Sequence, residues 1–427
     1  MANRILRRAL WVVAFGVLWL PVLDDPPLFS GAYLQNVTTD GATVAMITGS
    51  PTRLALEVRD GTGGLVGAAS DAADVRRHGL RVEGLRPGEQ YSYVLTEDGT
   101  ELAAGEFHTA PASDAAPVRF AFVGDSGGQP WWVWLQTAPI LHLPARWHWL
   151  PPAGTVAAVG AAIADYGPDF VLHLGDIVYP WGRHAQYSSG FFRPFGAAIA
   201  RAPFYPVLGN HDVMDTGGLQ TLSNFHLPDN PVTGDSRCYS FAFGSVRVIA
   251  LDCTAMFDAV NGHVEPGHPS YEFLAAELAT RSEPWIVVAS HYPMRSASRQ
   301  RDRADLLQHL RPLLESYGAT VYLSGHDHCY QRFGSVPGSE KDRMPLIVSG
   351  GGGKSLYDVL PTPGALKLAK AYHWCSVEVA GRTLRIVAHA LDGSILDELE
   401  LQQGPGPALE RIRAINPARA ARIDALD

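Results

Sequence analysis

The sequence predicts an α/β protein with a smaller all-β unit in front of it. Three observations lead there. From residue 118 onward, short apolar runs rich in Val, Ile and aromatics alternate with amphipathic helical patterns, the arrangement an α/β unit requires. Between residues 31 and 112 the pattern switches to stretches of alternating polarity punctuated by turn residues. The 427 residues exceed one ordinary domain, and 46% hydrophobic with 18% charged residues supply a substantial core, so two folded units are expected.

The first residues read as a targeting segment. Arg4, Arg7 and Arg8 precede an apolar run from Ala9 to Leu20, broken by Pro21 and closed by Asp24 and Asp25. A run of this length suits an export signal better than a membrane span, and no small-x-small cleavage site follows it directly. A cleaved signal peptide and an uncleaved anchor over residues 1–30 both stay open. Either makes the protein exported: periplasmic, secreted or membrane-anchored.

Residues 31–112 alternate in stretches such as Thr43 to Thr48, Leu54 to Val58 and Gln90 to Leu95, and Ala110-Pro111-Ala112-Ser113 reads as a linker. The larger unit, residues 116–402, contains three clear helical patterns: Gly154 to Tyr166, Ser270 to Arg281 and Ala304 to Tyr317. The last is apolar at 306, 307, 310, 313, 314 and 317 and stopped by Gly318. An insertion at 131–152 holds Trp131, Trp132, Trp134, Trp147 and Trp149, half of the chain's ten tryptophans, which suits a lid, a bilayer-contacting loop or a helix pair packed on the all-β unit. Membrane contact through residues 1–23 and this insertion is therefore one expectation. Gly350 to Gly353 read as a loop of close backbone approach near the site, because no phosphate-loop Lys-Ser/Thr pattern of correct spacing follows. Cys238 and Cys253 flank a hairpin turning near Gly244-Ser245 and are the best candidate disulfide, while Cys329 reads equally well as a free thiol. In the 403–427 tail, the Arg/Ala-rich stretch after Gly404-Pro405-Gly406-Pro407 suits a short helix.

The chemistry lies in five motifs, each at the end of an apolar run. Val118 to Val123 leads to Gly124-Asp125, Phe170 to Leu174 to Gly175-Asp176, and Phe204 to Leu208 to Gly209-Asn210-His211-Asp212. Trp285 to Ala289 leads to Ser290-His291, and Thr320 to Leu323 to Gly325-His326-Asp327-His328. Side chains just beyond the carboxyl ends of buried strands converge on one crevice. Carboxylate, amide and imidazole donors without a cysteine pair suit zinc, manganese or iron. A carboxylate has two oxygens, so one Asp can bridge two ions, and two ions hold a hydroxide at neutral pH and clamp an in-line phosphoryl displacement. Any one motif is a common turn; five in this order point to a two-metal site. The formal charge of -9, with no basic stripe, argues against nucleic acid as partner.

These residues resemble the calcineurin-like metallophosphoesterases and, within them, the purple acid phosphatases. Gly175-Asp176-Ile177-Val178-Tyr179 is similar to the form of the second motif whose Tyr ligates ferric iron, and Gly124-Asp125-Ser126-Gly127 lacks the His that broader phosphoesterases carry two residues after the first Asp. The stretches Gly209 to Asp212, His291-Tyr292-Pro293 and Gly325 to His328 look closest to the tartrate-resistant branch. The resemblance covers most of residues 118–400. It implies a four-layer α/β/β/α sandwich. It implies that Asp125, Tyr179 and His328 hold an iron, that Asn210, His291 and His326 hold a second ion (iron, zinc or manganese), and that Asp176 bridges them. His211 would face the phosphate as general acid, a role suited to a near-neutral imidazole, with Asp212 orienting its ring. The chain departs from the pattern after the fourth motif: a further His near the phosphate is replaced by Arg295, Arg299, Gln300 and Arg301. A phosphate clamp and a solvated basic loop both fit those residues. Gly84-Leu85-Arg86-Pro87-Gly88, followed by Tyr91, Tyr93 and Leu95, makes the 31–112 unit resemble a fibronectin type III sandwich, a support rather than a catalytic part.

The expected activity is hydrolysis of a phosphorylated small molecule. A phosphomonoesterase of the acid phosphatase type comes first, in which a metal-held hydroxide attacks phosphorus and His211 protonates the leaving alcohol. Diester or pyrophosphate hydrolysis on the same fold is the enzymatic alternative. A surface binding protein without turnover is the non-catalytic one.

Overall fold

The computed structural model describes residues 29–127, 154–254, 264–334 and 344–426. The N-terminal stretch read as a targeting segment and the Trp-rich insertion lie outside these residues. Among the described residues no helix is long and apolar enough to cross a membrane.

Seven strands between Tyr33 and His108 form two antiparallel sheets. One runs Tyr33–Gln35, Gly41–Thr52, Val75–Glu83 in spatial order; the other runs Leu65–Ser70, Ala55–Asp60, Gln90–Glu97, Thr100–His108. Alternation in the sequence becomes alternation in burial: Tyr91, Tyr93 and Leu95 point into the core with Leu56, Val58 and Phe107. This unit is tied to its neighbour by buried polar contacts. Gln35 Nε2 donates to Phe204 O at 2.8 Å, its Oε1 accepts from His226 N at 3.0 Å, and Tyr33 OH donates to Asn224 O at 2.7 Å. Phe204 begins one of the strands that lead to the site, so the all-β unit braces that strand from the side.

The larger unit contains two mixed sheets. The six-stranded one has the order Phe204–Pro206, Phe170–His173, Val118–Val123, His373–Ala380, Thr383–Ala390, Ile395–Gln402, its first three strands parallel. The seven-stranded one has the order Tyr239–Phe243, Val246–Leu251, Trp285–Ser290, Val321–Ser324, Leu346–Ser349, Tyr330–Phe333, Ala365–Ala369, with four parallel strands in its centre. Because side chains alternate along a strand, its central strands are buried on both faces. Val246, Val248, Val287, Ala289, Val321 and Leu323 join the core shared with the six-stranded sheet. Ile249, Leu251, Ile286, Val288 and Tyr322 face helices Pro269–Thr280 and 306–316, which present Phe273, Leu274, Leu278, Leu306, Leu310 and Leu314. The two sheets meet through aromatic rings: Tyr205 stacks on Phe241 at 3.7 Å and Phe170 meets Phe241 edge-on at 5.2 Å. Helices Thr155–Tyr166 and Arg193–Ile199 cover the six-stranded sheet.

The helical patterns fall where expected: Gly167 and Gly318 end their helices at φ 64° and 65°, conformations that Gly adopts without steric cost. The tail forms two helices, Pro407–Ile415 and Pro417–Asp424, fastened by a fully buried guanidinium. Arg419 donates to Pro284 O at 3.0 Å, Tyr317 O at 2.7 Å and Gly318 O at 2.8 Å.

The disulfide expectation is corrected: all four cysteines are free and buried. The hairpin forms, but its register pairs Tyr239 with Ala250, which sets Leu251 opposite Cys238 and leaves Cys253 two residues beyond. Cys238 Sγ instead donates to Ser270 Oγ at 3.4 Å and accepts from Asp252 N at 3.3 Å.

Candidate metal centre

All five motifs leave the carboxyl ends of parallel strands, three from the six-stranded sheet and two from the seven-stranded one, and their loops meet across the seam. Asp125, Asp176 and His326 have φ of 57°, 53° and 66°, a left-handed conformation that non-Gly residues reach only at a cost. Glycines beside them keep the loops close. A Cβ on Gly325 would sit 2.6 Å from Asp125 Oδ2, and one on Gly209 would sit 2.2 Å from Asp176 Oδ1. The turns give up local comfort to bring their donors together.

Two groups of donor atoms result. In the first, Tyr179 OH lies 3.1 Å from Asp125 Oδ1, 3.0 Å from Asp176 Oδ2 and 3.4 Å from His328 Nε2, which is 3.3 Å from Asp125 Oδ1. In the second, Asn210 Oδ1 lies 3.1 Å from His291 Nε2 and 3.0 Å from His326 Nδ1, and the two imidazole nitrogens are 3.3 Å apart. Asp176 joins the groups: Oδ2 faces Tyr179, while Oδ1 is 3.5 Å from His291 Nε2. All seven residues proposed as ligands are therefore gathered in one place.

The donor set fits cations. His291 Nδ1 donates to Leu174 O at 2.8 Å and His328 Nδ1 to Ser355 O at 2.7 Å, which leaves the Nε2 lone pair of each ring turned inward. Several acceptor atoms facing one another at about hydrogen-bond distance repel unless positive charge sits among them. Protonation behaviour points the same way. Burial, with the nearby Asp176 charge, raises Asp125 well above the ordinary carboxylate range. In Asp176 the same burial is outweighed by the His291 and His211 imidazoles and the His211 amide, and its carboxyl titrates low. Burial lowers His328 to about 4 and holds His326 well below the usual histidine range, so both rings offer lone pairs. Burial and the charges of Asp125 and Asp176 push Tyr179 well above the usual phenol range, a cost that a bound cation reverses.

The His211 ring lies 4.5 Å from the Tyr179 ring, and its amide donates to Asp176 Oδ1 at 2.8 Å. One expectation is corrected here. Asp212 does not orient that ring: its Oδ1 accepts from Ile177 N at 3.0 Å and its Oδ2 from Gly209 N at 2.9 Å, while His211 Nδ1 is held by Pro180 O at 2.7 Å. Adjacent residues in this turn project to different sides, and the Asp212 carboxylate ties the 175–180 loop to the 209–212 loop from beneath.

The basic segment divides. Arg295 is turned away, paired with Asp302 at 2.8 Å and with Pro363 O at 2.9 Å. Gln300 is held through its backbone amide by Ser298 Oγ at 3.1 Å, and Arg301 is exposed. Arg299, also exposed, sets its guanidinium 4.1 Å from the Tyr357 ring, which stacks on His328 at 4.1 Å.

Sequence reasoning missed Lys354 and Tyr357. The glycine run before them was legible as a close-approach loop, and it is one: a Cβ on Gly350 would lie 2.8 Å from Asp125 Oδ2, and Gly352 N donates to Gly124 O at 3.0 Å. Such a loop delivers to the centre the polar residue at its end. Lys354 sets its Nζ 4.5 Å from the Tyr179 ring centroid, and burial lowers it to about 8 against the opposing pull of Asp176 and Asp125.

Known proteins resemble this chain in sequence and fold. The calcineurin-like phosphoesterase family model matches residues 118–330, from the first strand of the site to just past His328, so the chain carries a calcineurin-like phosphoesterase domain. Relatives that it matches include proteins named tartrate-resistant or purple acid phosphatase. Tartrate-resistant acid phosphatase type 5 of Rattus norvegicus is 28% identical over 265 residues, covering 57% of this chain and 74% of the relative. An uncharacterized protein of Mycobacterium tuberculosis is 30% identical over 309 residues; the match takes in 66% of this chain and about half, 55%, of that longer protein. Among solved structures, purple acid phosphatase PPD1 from Lupinus luteus seeds superposes with a TM-score of 0.70 at 18% identity, over 88% of this chain and 75% of that one, and shows the shared mixed α/β fold. Proteins of the family bind a binuclear metal centre, and here Asp125, Asp176 and His328 form a buried group of metal-competent side chains.

Proposed function

We propose that the protein is a phosphomonoesterase of the purple acid phosphatase type. One observation carries the reading: two sets of inward-facing donors share Asp176, with the phenol of Tyr179 in the first and the His211 ring alongside. Asp125, Tyr179 and His328 would hold iron; Asn210, His291 and His326 would hold iron, zinc or manganese. When bound, such a pair of ions supplies Lewis-acid charge to the phosphoryl oxygens and an activated water at neutral pH.

The chain's own groups do the rest. The His211 ring donates from Nδ1 to Pro180 O, so Nε2 is the nitrogen that gives a proton to the departing alcohol, and it does so from the doubly protonated ring. Asp212 fixes the backbone on either side of that ring. Arg299, steered by Tyr357, is the member of the basic segment best placed to meet substrate. The sandwich at 31–112 is read as fibronectin type III-like, supported by Tyr91 OH accepting from Arg86 N at 2.8 Å, the corner that pins such sandwiches. Export rests on the basic-apolar pattern of residues 1–30.

Kinetics on aryl phosphates set beside bis-aryl phosphodiesters test the activity. Monoester turnover that falls in both His211→Ala and Asp176→Asn supports it, and metal-loaded protein that turns over neither substrate overturns it. Elemental analysis with a visible spectrum tests the ion. A purple band lost in Tyr179→Phe supports iron on the phenolate; a colourless enzyme loaded only with zinc or manganese removes iron and leaves the fold untouched.

A further inference from the structure

We propose that Lys354 is a phosphate-binding residue of this centre, its ammonium gripping a substrate oxygen beside the Tyr179 end of the site. The inference rests on the phosphoesterase reading and adds a residue to it.

Lys354 is anchored at its base as a surface lysine would not be. Its backbone N donates to Asp125 O at 3.0 Å, one residue after Gly353, where a Cβ would lie 2.8 Å from Ser126 O. The next residue, Ser355, accepts from His328 Nδ1 at 2.7 Å, and Tyr357 N donates to His328 O at 2.9 Å. The segment from Gly350 to Tyr357 thus wraps the first donor group, and its one cationic side chain is aimed inward, over the face of Tyr179 at 4.5 Å. His211 borders the same aromatic ring, also at 4.5 Å. The lysine and the proposed proton donor therefore flank one ligand.

Charge accounting says what the ammonium waits for. The carboxylates that attract it, Asp176 and Asp125, are those that two metal ions would neutralise. Once they do, a third positive charge stands beside the ions with its own partners spent, a costly arrangement unless an anion enters. A phosphate dianion satisfies all three. Lysine suits the task as a compact charge with rotatable donors, and its reach from a pinned backbone limits where the phosphate can sit.

The test compares metal-loaded wild type with Lys354→Met and Lys354→Arg, using titration calorimetry with inorganic phosphate, elemental analysis and steady-state kinetics on an aryl phosphate. Loss of one charge-assisted contact is expected to weaken phosphate binding about tenfold in Lys354→Met, with KM raised by a similar factor and kcat moved less, at unchanged metal content. Lys354→Arg is expected to recover most of the affinity. Phosphate affinity within about twofold of wild type in Lys354→Met overturns the proposal. So does loss of metal in both variants, which would make the lysine a support of the ligand cage. Wild-type protein that binds phosphate through Lys354 yet turns over no ester would remove the enzymatic reading and leave the lysine's role standing.

Discussion

His211 is held by the carbonyl of Pro180 across 2.7 Å, and its sequence neighbour Asp212 takes no part. The ring nitrogen is thereby fixed by a backbone carbonyl, while the residue's own amide donates to Asp176 Oδ1 at 2.8 Å. His211→Ala is expected to lower kcat by about 10²- to 10⁴-fold, the usual worth of a positioned general acid, while elemental analysis finds the metal content unchanged. Loss of metal in this variant would show that the ring supports the ligand cage instead.

Asp212 acts from underneath. Its carboxylate accepts the amides of Ile177 and Gly209, which belong to the loops carrying Asp176, Tyr179 and Asn210. Asp212→Ala leaves two buried N–H groups without acceptors, a cost of about 2 to 4 kcal/mol at roughly 1 to 2 for each. A lower melting temperature and reduced metal retention during dialysis are expected. Unchanged values of both would contradict the bracing role.

These two neighbours also mark how far the sequence could be read. The convergence of the five motifs was legible because each comes after a strand-like run, and parallel strands carry the loops at their carboxyl ends to one edge of the sheet, whereas Tyr179 and the division into two ligand sets came from the family resemblance. The side to which a turn residue points was not: His211 and Asp212 are equally polar and adjacent, and only the backbone decides which lies beside the Tyr179 ring. Carbonyl partners such as Leu174 O, Pro180 O and Ser355 O leave no trace in side-chain chemistry at all. Cys238 and Cys253 misled for a related reason, since a hairpin's existence could be read while its register, which sets Leu251 across from Cys238, could not. Lys354 was hidden by attention to the glycines in front of it.

Arg419 fastens the tail. Its guanidinium is buried, and besides Pro284 O it engages the carbonyls of Tyr317 and Gly318 at the end of the helix that precedes the His326 strand. Arg419→Met is expected to cost on the order of 3 kcal/mol, because the carbonyls lose donors that water does not readily replace. Thermal denaturation measures it, and limited proteolysis should release the tail first. Equal melting temperatures would contradict the buried geometry.

His373 bears on acid sensitivity. Burial lowers it to about 4, and its ring is bonded to Ser349 Oγ at 3.0 Å and Ala371 O at 2.9 Å. A histidine whose folded value lies below its unfolded value of roughly 6.5 binds more protons when unfolded. Its contribution to stability is therefore intact above that value and is lost as pH falls toward 4. Urea denaturation at pH near 7 and near 5 should show a smaller drop for His373→Gln than for wild type; the same drop in both would assign the acid sensitivity elsewhere.

Each donor group borrows from both sheets: Asp125 and Tyr179 reach His328 across the seam, as Asn210 reaches His291 and His326. Ions seated there would act as rivets between the halves, and the aromatic interlock of Tyr205 with Phe241 would share its load with coordination bonds. Mechanical cohesion and catalytic competence then become a single property of the molecule, so a chelator should soften the whole sandwich and not merely silence one cavity.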